Sequence, residues 1–140
     1  MLSGEYRHVL DSKNRIFIPA KFRMELGESF IVTRSFRGRF LCFYSMRAWE
    51  EYIAPLKSVP RKTSEDTLRY LYRNAAEATP DSQGRILLPK SLVDHAGIVK
   101  EAYIVGCGDY GEIWSVEGYE AQIAAEDSGK IREALEQLGL

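Results

Sequence analysis

The sequence predicts a mainly β protein with short helices, an α+β fold, built from two tandem copies of one unit. A nine-residue pattern, Asp-Ser-x-x-Arg followed by three apolar residues and Pro, occurs at 11–19 and again at 81–89. A glycine stands eight residues after each proline, at Gly27 and Gly97. Short β-branched and aromatic stretches such as Ile16–Ile18 are bounded by turn residues, as in β-strands. Self-similarity at one spacing indicates a duplicated structural unit.

Length and composition indicate an ordinary globular protein. The chain has 140 residues, of which 45% are hydrophobic. Each half is too small to hold a comfortably stable core alone, so we expect the halves to bury their apolar faces against each other or another subunit. No apolar run approaches the roughly 20 residues that a membrane-spanning helix needs. The N-terminus lacks the features of a signal peptide, and we expect a cytoplasmic location without membrane contact.

Charge is distributed unevenly along the chain. The net charge is −1, but the segment up to Arg73 carries +6 and the segment from Asn74 carries −7. A basic half joined to an acidic half indicates either a face that binds a polyanion or head-to-tail attraction between subunits. Both interpretations can hold together.

The cysteines and histidines predict neither a metal site nor a disulfide framework. Cys42 and Cys107 lie in strand-like apolar stretches, which favours buried free thiols in a reducing compartment. A Cys42–Cys107 bridge is the alternative. His8 and His95 occupy non-matching positions in the repeat, and no Cys or carboxylate stands at zinc-ligand spacing from either.

Tight turns are predicted within both Asp-Ser-x-x-Arg segments. Strands at Tyr6–Leu10 and Ile16–Ile18 flank the first segment, so we expect a hairpin there. Asn14 and Gly84 occupy the same slot of the two copies. Asn and Gly are the residue types that accept positive φ, which a tight turn requires.

The remaining elements of each unit follow in the same order. Each repeated proline suits the first turn of a short helix, and the glycine that follows suits its C-terminal end. Further strands are predicted at Ser29–Thr33, Arg39–Tyr44, Ala102–Val105 and Glu112–Ser115. Ser45 and Ser115 are suitable N-caps for helices at Met46–Leu56 and Val116–Ala125. The unit is therefore β-β-α-β-β-α, present twice.

Two helices are predicted outside the repeated pattern. A polar joint at 60–64 precedes a helix from about Glu65 to Ala76, and a last helix covers Ser128–Leu138. Their apolar stripes at helical spacing are Leu68, Leu71, Tyr72 and Ala75, and Ile131, Leu135 and Leu138.

The Asp and Arg residues of the repeated turns permit two interpretations. Asp11 with Arg15, and Asp81 with Arg85, could form ion pairs that only stabilise each turn, which would contribute little. Alternatively, the arginines project towards a polyanion while the aspartates orient them. Lys13 at the tip of the first turn favours the second interpretation, because a lysine there has nothing to pack against.

Further cations near the first turn are more ambiguous. Scattered charges such as Arg7, Lys21 and Arg23 usually form a solvated face. The 34–39 segment, Arg-Ser-Phe-Arg-Gly-Arg, places three arginines and an aromatic residue within six positions. Loops of that composition often contact phosphate.

Catalysis is not expected. A Ser-His-Asp arrangement would have to combine Ser12 or Ser82 with Asp94 and His95, and adjacent residues are poorly placed to act in line as orienter and base. No glycine-rich phosphate loop is present. The sequence therefore predicts no enzyme, no cofactor and no small-molecule ligand.

The repeated residues carry a resemblance to a known family. The duplicated D-x-x-x-R turn, the Ile-x-Ile-Pro-Ala-Lys-Phe-Arg segment at 16–23 and the β-β-α-β-β order resemble the bacterial MraZ family, tandem relatives of the SpoVT/AbrB swapped-hairpin transcription factors. The resemblance extends from Tyr6 to about Ile123. Asn14 departs from the glycine that is more usual in its slot.

The resemblance implies a tandem-repeat, AbrB-like swapped-hairpin β-barrel in which half-barrels of the two repeats interleave. An inter-repeat helical segment and C-terminal helices are added to it. The implied boundaries are 5–47 for the first SpoVT/AbrB-like repeat, 48–75 for the helical connector, 76–119 for the second repeat and 120–140 for the C-terminal helical tail.

The resemblance also implies a sequence-specific DNA-binding regulator, nucleoid-associated, that represses its own division and cell-wall gene cluster. A homo-oligomeric ring, octameric or larger, would bind short tandem promoter repeats of double-stranded DNA. The DNA contacts would be Lys13, Asn14, Arg15, Gln83 and Arg85. From the turn residues and the charge pattern themselves, we expect Asp11 and Asp81 to orient the turns, and Arg7, Arg37 and Arg39 are candidates for additional contacts. The alternative is a ring-forming structural or protein-interaction protein without specific DNA binding.

Overall fold

A computed structural model describes all 140 residues as a mixed α+β fold, which confirms the predicted class. The eight strands are β1 Glu5–Val9, β2 Arg15–Phe17, β3 Phe30–Arg34, β4 Leu41–Ser45, β5 Ala75–Ala78, β6 Arg85–Leu87, β7 Glu101–Gly106 and β8 Gly111–Ser115. The six helices are α1 Ala20–Leu26, α2 Met46–Lys57, α3 Arg61–Arg73, α4 Lys90–Ala96, α5 Val116–Ala125 and α6 Ser128–Gln137. The β-β-α-β-β-α order occurs twice, with α3 and α6 as additions. None of the helices is long and apolar enough to cross a membrane.

The strands of the two repeats interleave in two antiparallel sheets. The larger sheet has the order β1-β7-β8-β4-β3-β5, and the smaller consists of β2 and β6. The outermost strands of the larger sheet each pair with a strand of the other repeat, and so do its two central strands. Hydrogen bonding does not close the larger sheet into a barrel, because β1 and β5 remain its edges.

The local hairpin expected around the first turn is wrong. β1 pairs with β7 and β2 pairs with β6, so the strands that flank the turn take partners from the other repeat. The turn itself forms, with the amide of Asp11 donating to the carbonyl of Arg15 at 2.9 Å. After the turn, β2 crosses to the second repeat. This crossing is favoured because it buries the apolar side chain of Ile16, which is 0% exposed between the repeats.

The segment between the repeats also differs from expectation. Residues 61–64, expected as a polar joint, form the first turn of α3, with Pro60 at its N-cap. Pro is pre-organised for a helix start, and the polar residues that follow it mostly face solvent. The predicted helix end at Ala76 is also wrong, because Ala75 and Ala76 pair with Thr33 and Val32 in the sheet. Tertiary pairing here overrides the helix propensity of alanine.

Two hydrophobic cores hold the elements together. The larger is formed by both repeats and includes Ile16, Ile86, Phe22 and Phe43, each 0% exposed. The smaller lies under α2 and α3 around Trp49. Both cysteines are free thiols, with Cys42 buried and Cys107 half-buried. Burial raises the pKa of Cys42 to about 12 and that of Cys107 to about 11.

Candidate nucleic-acid interface

The first turn is organised by the carboxylate of Asp11. Its Oδ1 accepts hydrogen bonds from the amides of Lys13 at 2.9 Å and Arg15 at 2.8 Å. Its Oδ2 accepts from Nε of Arg15 at 2.8 Å. Asn14 has a φ of 59°, the only positive φ among the non-glycine residues. One carboxylate therefore fixes both the backbone of the turn and the direction of the arginine side chain.

The second turn repeats this geometry. Oδ1 of Asp81 accepts from the amides of Gln83 at 2.9 Å and Arg85 at 3.0 Å. Its Oδ2 accepts from Nε of Arg85 at 3.0 Å, and Gly84 takes the positive φ at 80°. The prediction of equivalent turns with Asn and Gly in the positive-φ slot is confirmed.

The small sheet brings the two turns together. The amide of Ile18 donates to the carbonyl of Gly84 at 2.9 Å, and the amide of Leu88 donates to the carbonyl of Asn14 at 2.8 Å. These two bonds join equivalent positions of the repeats in reciprocal fashion, as a local pseudo-twofold axis requires. Nη1 of Arg85 also lies 3.6 Å from Oδ2 of Asp11, so one turn contacts the other directly.

The paired turns combine two Asp–Arg ion pairs with one exposed lysine that has no ion-pair partner. The hydrogen bond from the amide of Arg15 is the main cause that lowers the pKa of Asp11; desolvation opposes it, and the guanidinium of Arg15 and the amide of Lys13 lower the pKa further. The amide of Arg85 likewise lowers the pKa of Asp81. Only Nε of Arg15 is engaged by protein, so its terminal nitrogens remain free to donate. Lys13 is exposed and forms no ion pair. The paired turns can therefore present donors to an anionic ligand.

Comparison with known proteins identifies the family. The family model described as "MraZ protein, putative antitoxin-like" matches residues 1–69 and again residues 71–138. The chain belongs to the MraZ family. A transcriptional regulator MraZ of Caldicellulosiruptor saccharolyticus is 41% identical over 145 aligned positions that cover 100% of both chains. The transcriptional regulator MraZ of Leuconostoc citreum is 42% identical, with 96% of each chain covered. These names denote regulators and not enzymes.

Three further arginines considered from the sequence lie outside the paired turns of this MraZ-family chain. All three guanidinium nitrogens of Arg7 have protein partners, because Nε and Nη2 donate to Glu101 and Nη1 lies near Tyr103 and Glu120. Arg37 lies over the ring of Phe36, and Arg39 is exposed in the same loop. No hydrogen bond or ion pair joins that loop to either turn.

The residues weighed for catalysis are engaged elsewhere. Oδ2 of Asp94 pairs with the ammonium of Lys90 at 2.8 Å. Nε2 of His95 lies 3.0 Å from the carbonyl of Gly38. Neither contact places an orienting group, a base and a nucleophile in one line.

One cation beside the turns, Arg23, differs from the solvated face that the sequence predicts. Arg23 on α1 is half-buried and donates from Nε to the carbonyl of Ile18 at 2.9 Å. Its guanidinium carbon lies 5.4 Å from the centre of the Phe17 ring. The equivalent position of the second repeat holds Val93, so this contact has no counterpart at the first turn.

Proposed function

We propose that this MraZ-family protein regulates transcription by binding specific promoter DNA through its paired turns. The observation that carries the proposal is the pair of Asp-oriented arginines, Arg15 and Arg85, which lie at opposite ends of the short β2–β6 pair. Arg15, whose Nε is fixed and whose terminal nitrogens are free, is suited to bidentate contact with a guanine edge, whereas Nη1 of Arg85 also lies 3.6 Å from Oδ2 of Asp11. The names of the relatives support regulation of transcription as the role.

The residues of the turns have distinct proposed roles. Arg15 and Arg85 read base edges or clamp phosphates, while Lys13 contacts phosphate from the tip of the first turn. Asn14 and Gln83 lie beside them and complete the contact surface. Asp11 and Asp81 orient the arginines and do not contact DNA themselves, since a carboxylate facing phosphate would be repelled.

Assembly into a homo-oligomer larger than a dimer is part of the proposal. The basic and acidic halves favour head-to-tail association, and such contacts close into rings. A ring would place several pairs of turns against short tandem promoter repeats, upstream of the protein's own gene cluster, and multivalency would raise the affinity. Repression would follow from occupying that promoter.

Light scattering tests the assembly directly. At micromolar concentration and moderate salt we expect a mass well above that of a dimer of the 16.0 kDa chain. Raising the ionic strength should lower that mass, because contacts between exposed charges weaken as the Debye length shortens. A monomer, or a dimer that grows no further, would contradict the ring.

Arg15→Ala tests the DNA site. We expect loss of specific binding while the protein stays folded, because a half-exposed turn side chain leaves no cavity and loss of an exposed ion pair such as that with Asp11 costs at most about 1 kcal/mol. A lost bidentate guanine contact costs about 1–3 kcal/mol of discrimination, and the loss recurs in every engaged subunit. Lys13→Ala should instead weaken all sequences alike and reduce the salt slope by roughly one unit per site.

Binding titrations on promoter and scrambled duplexes at several salt concentrations separate these outcomes. If folded, oligomeric Arg15→Ala protein binds the promoter like wild type, the turns do not read DNA. If wild type does not distinguish the two duplexes in a gel shift, the protein is a structural or protein-interaction component instead.

A further inference from the structure

We propose that Leu87 determines part of the DNA specificity by contacting the C5-methyl group of a thymine next to the base that Arg15 reads. The inference rests on the proposed function, because it assumes that the paired turns face DNA. It adds an apolar contact to a surface described so far by its charges and polar groups. The thymine methyl is an apolar group at the base edges of the major groove, and apolar side chains recognise it.

The two-stranded sheet of β2 and β6 has a buried face and an outer face. Side chains alternate between the faces of a strand, and Ile16 and Ile86 on the buried face are 0% exposed. The outer face therefore carries the residues before and after each isoleucine, which are Arg15, Phe17, Arg85 and Leu87. Of these four, Leu87 is the most exposed, at 62%, and the other three are half-buried. The most accessible side chain of this face is thus apolar.

Leu87 lies directly opposite Arg15 in the antiparallel register of β2 and β6. Opposed side chains in such a pair point to the same face, with Cβ atoms roughly 4.5–5.5 Å apart. Successive bases of one DNA strand are about 3.4 Å apart along the helix axis. A side chain beside Arg15 therefore reaches the base next to the one that Arg15 contacts, so an arginine–guanine contact and a leucine–thymine contact are expected at adjacent positions.

The equivalent residue of the first repeat, Phe17, is covered by protein. The ring of His8 packs edge-on against it with the ring centres 5.0 Å apart, and the guanidinium carbon of Arg23 lies 5.4 Å from its centre. Leu87 lacks this cover, because the residues equivalent to His8 and Arg23 in the second repeat are the buried residues Ala78 and Val93. Only one end of the two-stranded sheet therefore presents an uncovered apolar side chain beside an arginine, which makes the expected recognition directional.

Uracil tests the inference, because as a base it differs from thymine only by the missing C5-methyl group. Full-length protein is titrated with promoter duplexes in which uracil replaces one thymine at a time, at the same place in every repeat. We expect at least one position at which uracil weakens binding by wild type roughly fourfold for each engaged contact, as for the loss of one buried methyl group. At that position Leu87→Ala should bind both duplexes equally. Leu87→Met should keep the preference for thymine, because methionine is also apolar.

Leu138→Ala is the matched control. It makes the same change at a leucine that is 74% exposed at the end of α6, outside both sheets. This variant should keep the thymine preference of wild type. Melting temperatures show that Leu87→Ala remains folded, which is expected because the truncation of an exposed side chain leaves no cavity in the core.

Two results would overturn the inference. One is that folded, oligomeric Leu87→Ala keeps the thymine preference of wild type, and the other is that no uracil substitution weakens binding by wild type. In both cases the proposed function stands if wild type still prefers the promoter to a scrambled duplex and Arg15→Ala does not. If wild type binds promoter and scrambled duplexes alike, the proposed function itself is wrong.

Discussion

At the residue scale the two aspartates differ in one contact. Each accepts two backbone amides and one Nε within its own turn. Asp11 additionally lies 3.6 Å from Nη1 of Arg85, whereas no equivalent contact joins Asp81 to Arg15. Asp11 therefore serves both turns, and Asp81 serves one.

This difference predicts unequal effects of Asp11→Asn and Asp81→Asn. At neutral pH the asparagine keeps one acceptor oxygen but loses the charge and the second acceptor, so both variants should melt below wild type, Asp11→Asn by more. The pKa of each carboxyl is lowered in the folded protein. The stabilisation is therefore complete above the unfolded value of about 3.9 and is lost as pH falls through the folded-state pKa.

Thermal melts from neutral to strongly acidic pH measure this dependence. The gap in melting temperature between wild type and each variant should stay constant down to about pH 5 and close progressively below it, as first the unfolded and then the folded carboxylates take up protons. A gap that is the same at every pH would show that charge at these positions contributes nothing.

Individual residues determined which parts of the site were predictable from sequence. The turn conformation could be predicted because few residue types accept the positive φ of Asn14 and Gly84. The place of Arg23 could not, because its neighbour Gly84 is distant in sequence and meets it only through the crossing of β2 and β6. The same crossing creates the contact between Arg85 and Asp11.

At the element scale, the equivalent helices α2 and α5 contribute unequally to the hydrophobic cores. Ser45 caps α2 by accepting from the amide of Ala48 at 3.1 Å, and Ser115 caps α5 by accepting from Gly118 at 3.0 Å. α2 buries Trp49 and Ile53, whereas α5 contains no fully buried residue. Helix α2 is therefore part of a core, and α5 lies on the surface.

The caps should report this difference when each serine is replaced by alanine. Ser45→Ala should lower the free energy of unfolding by about 1 kcal/mol, because α2 cannot fray without exposing its core residues. Ser115→Ala should change global stability less and increase hydrogen exchange at the start of α5. Chemical denaturation with native-state exchange measures both quantities. Equal losses of global stability in the two variants would contradict the conclusion that α2 contributes more to the core than α5.

Elements bounded by strong local signals were predictable, and elements decided by pairing were not. Helices α1 and α4 begin after proline and end at glycine, as expected from those residues alone. The alanines of β5 favour a helix locally, and only their pairing with β3 makes them a strand. The expected hairpin of β1 and β2 does not form for the same reason, since both strands pair with strands of the other repeat.

At the scale of the whole molecule, neither repeat contains a complete sheet. β1 has β7 as its only partner, β5 has only β3, and β2 has only β6. Each of these pairs joins one repeat to the other, and the larger core takes residues from both. The repeats are therefore duplicated in sequence but form one cooperative unit in the fold.

This dependence predicts that fragments 1–74 and 75–140 are each unfolded as monomers and fold when mixed. Each fragment alone would leave edge strands unpaired and half of the core exposed, and chains of this size are marginal even with a full core. Circular dichroism and NMR of the fragments, apart and together, measure the effect. A folded monomer of either fragment would contradict the prediction.

Self-pairing of 1–74 should be disfavoured, because Asn14 would take the place of Gly84, where Arg23 and Phe17 leave no room for a Cβ. Asn14→Gly in that fragment should therefore increase its self-association, whereas the mixture with 75–140 should need no such change.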